Sequence, residues 1–188
     1  MYPADLGDGV TMRMFRKDDA WDLSALLLAS KPTLRPWLTW VDAMETEKDS
    51  RAFIQRTLQA TVDQGGLITS FAVLVDGQLA GTAGFHSIDR RNHTANAGYW
   101  LGSGFHGRGI MTKALDALLH YGFDEFCFHR IEIRAAVANE KSRALPERFG
   151  FVREGTLRQA EWLYDHFADH AVYGLLKSEW QQHQDLSS

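Results

Sequence analysis

The sequence predicts an α+β protein with a mixed, mostly antiparallel central sheet flanked by helices. Three observations lead there. The elements run as one strand, two helices, three strands of antiparallel type, then strand–helix–strand units, which is not the serial alternation of a doubly wound fold. Asp76-Gly77 stands between two apolar runs, the signal of a tight hairpin. Residues 98–112, GYWLGSGFHGRGIMT, carry an aromatic strand through a glycine-rich turn into an amphipathic helix.

Residues 10–15 read as the first strand. Asp18 or Asp19 caps a helix to Ser30, with Trp21, Ala25, Leu28 and Ala29 at helical spacing. Pro32 and Pro36 break the chain over 31–46, a stretch that also holds Trp37 and Trp40. Residues 47–64 form a second helix with Phe53, Ile54, Leu58 and Val62 on one face, ended by Gly65-Gly66. Strands follow at 67–75, 78–87 and 94–101, with a polar turn at 89–92. The helix that begins near Gly109 sets Lys113, Asp116, His120 and Asp124 on its polar face. Its apolar face is Met111, Ala114, Leu115, Leu118 and Phe126. Residues 130–137 are a strand, and Asn139 caps a short helix ending at Gly150. Two last strands lie at 151–157, continuing towards Trp162, and at 168–176. One domain over 1–188 is expected, with a polar tail at 178–188 that frays.

The net charge of -4 argues against a nucleic-acid partner. An anion site must then rest on backbone dipoles and on local cations, of which Arg108, Lys113, Lys141, Arg143 and Arg148 are the supply. The one cysteine, Cys127, excludes an intrachain disulfide and a cysteine metal cluster. Between Phe126 and Phe128 it reads as buried core rather than a nucleophile. His166 and His170 have the spacing of helical metal ligands, but their stretch reads as turn then strand, so no metal is expected. Residues 1–10 lack a basic segment followed by an apolar one, and no apolar run reaches membrane-spanning length. A cytoplasmic protein with no membrane partner is expected.

Two phosphate-binding patterns overlap in the glycine-rich turn. Gly102, Gly104 and Gly107 spell GxGxxG, whereas Gly107-Arg108-Gly109 spells the tighter loop of an acyl-coenzyme A site. Either would place backbone N–H groups at the positive end of a helix. The dinucleotide pattern wants an acidic residue about 20 residues on. Here the second strand ends at residues 138–140, more than 30 past Gly107. No GxxxxGK string occurs, which removes the P-loop.

Downstream of GYWL lie FHGRGIMTKAL, NEKSRALPERFGFVREG and LRQAEWLYDHFADHAVYGLL. In these segments the chain resembles the GNAT acetyltransferase superfamily, and within it the RimJ/RimL branch that acetylates ribosomal-protein N-termini. The motifs run over 98–176, and the earlier strand–helix–helix–strand order fits as well. The resemblance implies the GNAT fold and acetyl-CoA as co-substrate. It implies that backbone amides of His106, Gly107, Arg108, Gly109, Ile110, Met111 and Thr112 hold the pyrophosphate. Tyr99, Trp100 and Leu101 would pair with the pantetheine arm like a missing strand, and Asn139 would contact it. Ser142 and Glu161 match the serine and glutamate given acid and base duty. The implied acceptor is a protein or peptide N-terminal α-amine. A small amine (an antibiotic, polyamine or amino-acid derivative) is the alternative, and a non-catalytic acyl-CoA-binding module lies outside the enzyme class. Relatives in the branch are often homodimers, an analogy only. The chain departs from the pattern at Gly104, where Gln or Arg is preferred, at His106, often Gln, and at Asn96, where many relatives carry a glutamate.

An amine attacks a thioester only when neutral. At pH 7 an α-amine of pKa about 8 is roughly a tenth neutral, and a lysine roughly a thousandth or less. A modest base suffices for the α-amine, and Glu161 is the candidate; otherwise it is a solvated strand-end carboxylate. Ser142 is the candidate donor to the leaving thiolate, or else a serine bonded locally in a first helical turn. Pro146 cannot donate to the Ser142 carbonyl, so a kink is expected there, or equally plain helix termination. An oxyanion donor is expected from a backbone N–H near Leu101. Trp37 and Trp40 either wall the acceptor pocket or pin a loop to the core.

Overall fold

The computed structural model describes residues 3–187. In chain order its elements are β1 (Ala4–Asp5), β2 (Val10–Met14), α1 (Ala20–Leu34), α2 (Glu47–Asp63), β3 (Ser70–Val75), β4 (Gln78–Asp89), β5 (Thr94–Leu101), α3 (Ile110–His120), β6 (Arg130–Ala136), α4 (Glu140–Arg148), β7 (Val152–Leu163), β8 (His166–Leu176) and α5 (Lys177–Ser187). The sheet order is β1-β2-β3-β4-β5-β6-β8-β7. β5 and β6 pair in parallel, while β2–β3, β3–β4, β6–β8 and β7–β8 are antiparallel. This is the mixed, mostly antiparallel sheet that the order of elements predicts. The chain packs as two compact units, 1–84 with 99–118 and 85–98 with 119–188, so β4 and β5 each run through both. The outermost residues of the expected 1–188 domain, 1, 2 and 188, lie outside the described residues.

In the first unit, Asp76 and Gly77 take φ of 49° and 79°, the type I′ geometry that matches strand twist, and join β3 to β4. Thr46 and Asp49 close a capping box at the start of α2. At its end Gly65 N–H and Gly66 N–H donate back to Val62 and Thr61, a Schellman closure with both glycines at positive φ. Val62, expected on the buried face, is 70% exposed because it sits in that last turn.

α1 corrects the sequence reading twice. It buries Ala20, Leu23, Leu27, Ser30 and Leu34, while Trp21 and Leu28 stand exposed. The helix is apolar on both sides, so helical spacing allows either face. It also runs through Pro32 to Leu34 instead of breaking at Lys31, at the cost of one N–H bond and of crowding the carbonyl four residues back. Leu23, Leu27, Phe15, Ile54, Leu74 and Trp100 belong to one core.

Asp19 does not cap α1 with its side chain. Its carboxylate accepts the Arg16 N–H at 2.6 Å and both terminal nitrogens of Arg13 at 2.7 and 2.8 Å. Burial alone would raise this carboxyl; the Arg13 guanidinium and the Arg16 N–H outweigh it and hold it below the usual carboxylate range. The stabilisation is therefore complete above the unfolded value of about 3.9 and is lost as pH falls through the lower folded one. Asp19→Asn is expected to cost about 3 kcal/mol in urea unfolding at pH 7, because it leaves the Arg13 charge without its partner. The difference from the parent should shrink below pH 4.

In the second unit, β5 pairs with β6 from Thr94↔Arg130 to Asn96↔Glu132. Phe85 packs edge-on to Phe128, and Ile131, Ile133, Tyr173 and Leu175 are buried. Cys127, expected inside, is exposed. Its φ of 53° marks the left-handed residue where the chain reverses after α3 and the turn that follows it. That reversal carries Phe128 inward and leaves the thiol outside. The tail expected to fray is the helix α5, anchored by the buried Trp180. Among the described residues no helix is long and apolar enough to cross a membrane.

Candidate active site

The first unit holds the strand end and the glycine turn. Gly102 leaves β5 with its N–H on the Ala80 carbonyl, and a Cβ there would lie 2.4 Å from Leu26 Cδ1. The Ser103 N–H donates to the buried Ser30 hydroxyl at 3.1 Å. His106 Nε2 lies 3.1 Å from the Leu101 carbonyl. A carbonyl only accepts, so the imidazole donates and ties the turn back to the strand. Gly107 and Gly109 take φ of 75° and 72° on either side of Arg108, and α3 starts at Ile110. A Cβ on either glycine would meet no heavy atom within 4 Å. Backbone conformation, not space, is therefore what requires glycine.

His106, Gly107, Arg108 and Gly109 are exposed, while Ile110 and Met111 turn inward and Thr112 is half-buried. Exposed glycine-rich backbone before a helix N-terminus, with open space over the glycines, fits a pyrophosphate. Lys113 is not part of its cation supply: its ammonium is held by the Asp8 carboxylate at 2.6 Å and the Leu6 carbonyl at 3.2 Å. On the strand, Trp100 is buried, and Tyr99 and Leu101 are half-buried. The Trp40 ring sits 6.1 Å from that of Trp100 and is 42% exposed, and Trp37 is half-buried. Gly109→Ala forces a side chain into left-handed backbone at a cost of about 1 kcal/mol. It is expected to raise KM for acetyl-CoA about tenfold through misaimed amides, with a small loss of Tm. An unchanged KM would leave the glycine a folding role alone.

The second unit holds the expected acid and base. Asn139 caps α4, its Oδ1 accepting the Ser142 N–H at 3.1 Å. The cap takes one lone pair of that oxygen and leaves the amide NH₂ end out of the bond. Ser142, half-buried, lies in the first turn as expected. α4 continues through Pro146 to Arg148, so the proline does not end the helix. Arg143 is not free for phosphate: it donates to the Tyr173 hydroxyl at 3.0 Å and the Val137 carbonyl at 2.8 Å.

Glu161 is not a lone strand-end carboxylate. It lies within β7, its side chain 34% exposed, with Oε2 3.0 Å from His170 Nε2 on β8. His166 pairs instead with Asp165 at 2.7 Å, since residues four apart on a strand stand about 13 Å apart. Among the described residues, no three His, Cys, Asp or Glu group to hold a metal. Asn96, noted above as a departure from the pattern, has Glu132 across the ladder at 3.5 Å. Burial would raise the Glu132 carboxyl, but Arg130 and Arg134 outweigh it and hold it ionised below its ordinary range, unsuited to taking a proton. The Glu161–His170 pair is what sequence reasoning missed. Nothing in the pattern of either strand marks it, because the pairing is irregular there.

Residues 10–152 match the acetyltransferase (GNAT) domain family. YdaF of Bacillus subtilis (strain 168), provisionally named a ribosomal N-acetyltransferase, is 34% identical over 96% of this chain and 98% of its own length. The ribosomal-protein-serine acetyltransferase of Escherichia coli (strain K12) is 33% identical over 80% of this chain and 83% of its own. The microcin C7 self-immunity acetyltransferase MccE, solved with acetyl-CoA and AMP, superposes with a TM-score of 0.83 at 28% identity, covering 91% of this chain and 94% of its own. The chain belongs to the GNAT family of acetyl-CoA-dependent acetyltransferases.

Proposed function

We propose that this chain passes the acetyl group of acetyl-CoA directly to the α-amine of a protein or peptide N-terminus, of the ribosomal-protein type, acting as one catalytic domain over 1–188. The observation that carries this reading is its 33% identity to the ribosomal-protein-serine acetyltransferase of Escherichia coli. Acetyl-CoA supplies the acyl group as a thioester when bound. Backbone amides from His106 to Thr112 hold its pyrophosphate, and Tyr99, Trp100, Leu101 and the Asn139 amide hold the pantetheine arm. Glu161 takes the proton from the acceptor amine, directly or through water, and Ser142 donates one to the departing sulfur. Trp37 and Trp40 contact the acceptor. An α-amine, partly neutral at pH 7, matches a single carboxylate base better than a lysine does.

The similarity to MccE favours a second reading, in which the acceptor is the amine of a small molecule. One experiment separates the two: thiol release from acetyl-CoA with peptides bearing free or blocked N-termini, and with small amines. Release with free-terminus peptides alone is the expected result. Release with small amines alone moves the acceptor to the second class. Tight acetyl-CoA binding without acceptor-dependent release makes the chain a binding module.

A further inference from the structure

The β7–β8 hairpin carries an irregularity that regular pairing would not produce. Leu157 stands opposite His170 and Glu161 opposite Ala168, so residues 158–160 on β7 face only Asp169 on β8. Uninterrupted antiparallel pairing from Leu157 would put Glu161 opposite His166, four residues from His170. The bulge inserts two residues, which slides Glu161 along the ladder towards His170. Because the insertion is even, Glu161 stays on the sheet face it shares with Leu157 and His170. Bulges re-aim side chains in this way beside active sites.

The bulge is built rather than tolerated. Gln159 takes a φ of 51°, left-handed backbone that is unfavourable for its side chain. The Asp169 carboxylate accepts its N–H at 2.7 Å. The product of this local strain is one contact, His170 Nε2 to Glu161 Oε2 at 3.0 Å, with the His170 side chain 18% exposed. The contact sets the imidazole nitrogen against one carboxylate oxygen of Glu161. The other oxygen remains to meet a proton.

We propose that His170, delivered to Glu161 by the β7 bulge, is a positioning residue for the catalytic base. This rests on the reading of Glu161 as that base. His170 holds the carboxylate in one rotamer, and a wandering carboxylate is a poor proton acceptor even when its basicity is intact.

The test uses the full chain with acetyl-CoA and an acceptor peptide. His170→Ala is expected to lower kcat about tenfold with KM for acetyl-CoA and Tm unchanged. His170→Gln, which keeps an N–H donor, should recover activity to within about threefold of the parent. Combining His170→Ala with Glu161→Gln should lower kcat no further than Glu161→Gln alone, as expected for residues acting as one unit. If Glu161→Gln is impaired and His170→Ala keeps full kcat, the positioning role is wrong and the base stands. If Glu161→Gln itself keeps full kcat, the base assignment fails and the proposal with it.

Discussion

Glu161→Gln is expected to lower kcat about 100-fold at pH 7 while leaving Tm and KM for acetyl-CoA unchanged. The substitution separates shape from basicity. A glutamine side chain has the same length, and its carbonyl can still face His170 Nε2, now 3.0 Å from Glu161 Oε2. The hairpin contact survives, and the ability to take a proton does not. The deficit should also depend on pH in a defined direction. An α-amine with a pKa of about 8 is mostly protonated at pH 7 and mostly neutral at pH 9, so the base is needed less as pH rises. The ratio of parent to variant kcat should therefore narrow across that range. A ratio flat with pH would mean that Glu161 does not deprotonate the incoming ammonium. No change at pH 7 would remove it from the chemistry.

The parts of this fold legible in the sequence are those set by local chemistry. Asp76-Gly77 dictates its own turn, Asn139 its own cap, and β5 starts and stops where the sequence reading puts it, at 94 and 101. Local rules fail where partners lie far away in the chain. The spacing of Trp21, Ala25, Leu28 and Ala29 is as helical as that of Leu23, Leu27 and Leu34, and only the core decides which set is buried. Lys113 and Arg143 read as free cations until Asp8 and Tyr173 are brought to them. The environment of Glu161 is the sharpest case. It depends on a bulge defined by β8, and neither strand alone announces a change of register. For the same reason the glycine turn is legible in the sequence, while the contact between Glu161 and His170 emerges only in the folded hairpin.

Trp180→Ala is expected to destabilise the protein by about 3–5 kcal/mol, lowering Tm by roughly 10 °C. Composition argues the opposite, because the segment around it, SEWQQHQDLSS, is almost wholly polar. Yet one large aromatic can hold a helix. Trp180 is 1% exposed, stacked on Phe123 at 6.0 Å and met edge-on by His120 at 5.0 Å. Around it the chain is clasped at three points: Lys177 N–H on the His129 carbonyl, Lys177 Nζ on the Phe123 carbonyl at 2.7 Å, and the Glu179 carboxylate on the Leu176 N–H at 2.8 Å. Those bonds fix the direction in which α5 leaves β8, and the indole supplies the apolar area that makes docking favourable. Trp180→Phe should lose less, since it keeps a ring against Phe123 and gives up part of the volume. Gln182→Ala, on the exposed side of the same helix, should leave Tm unchanged. Equal Tm values for Trp180→Ala and Gln182→Ala would show that α5 is held by its three polar clasps alone and that the tryptophan only fills space.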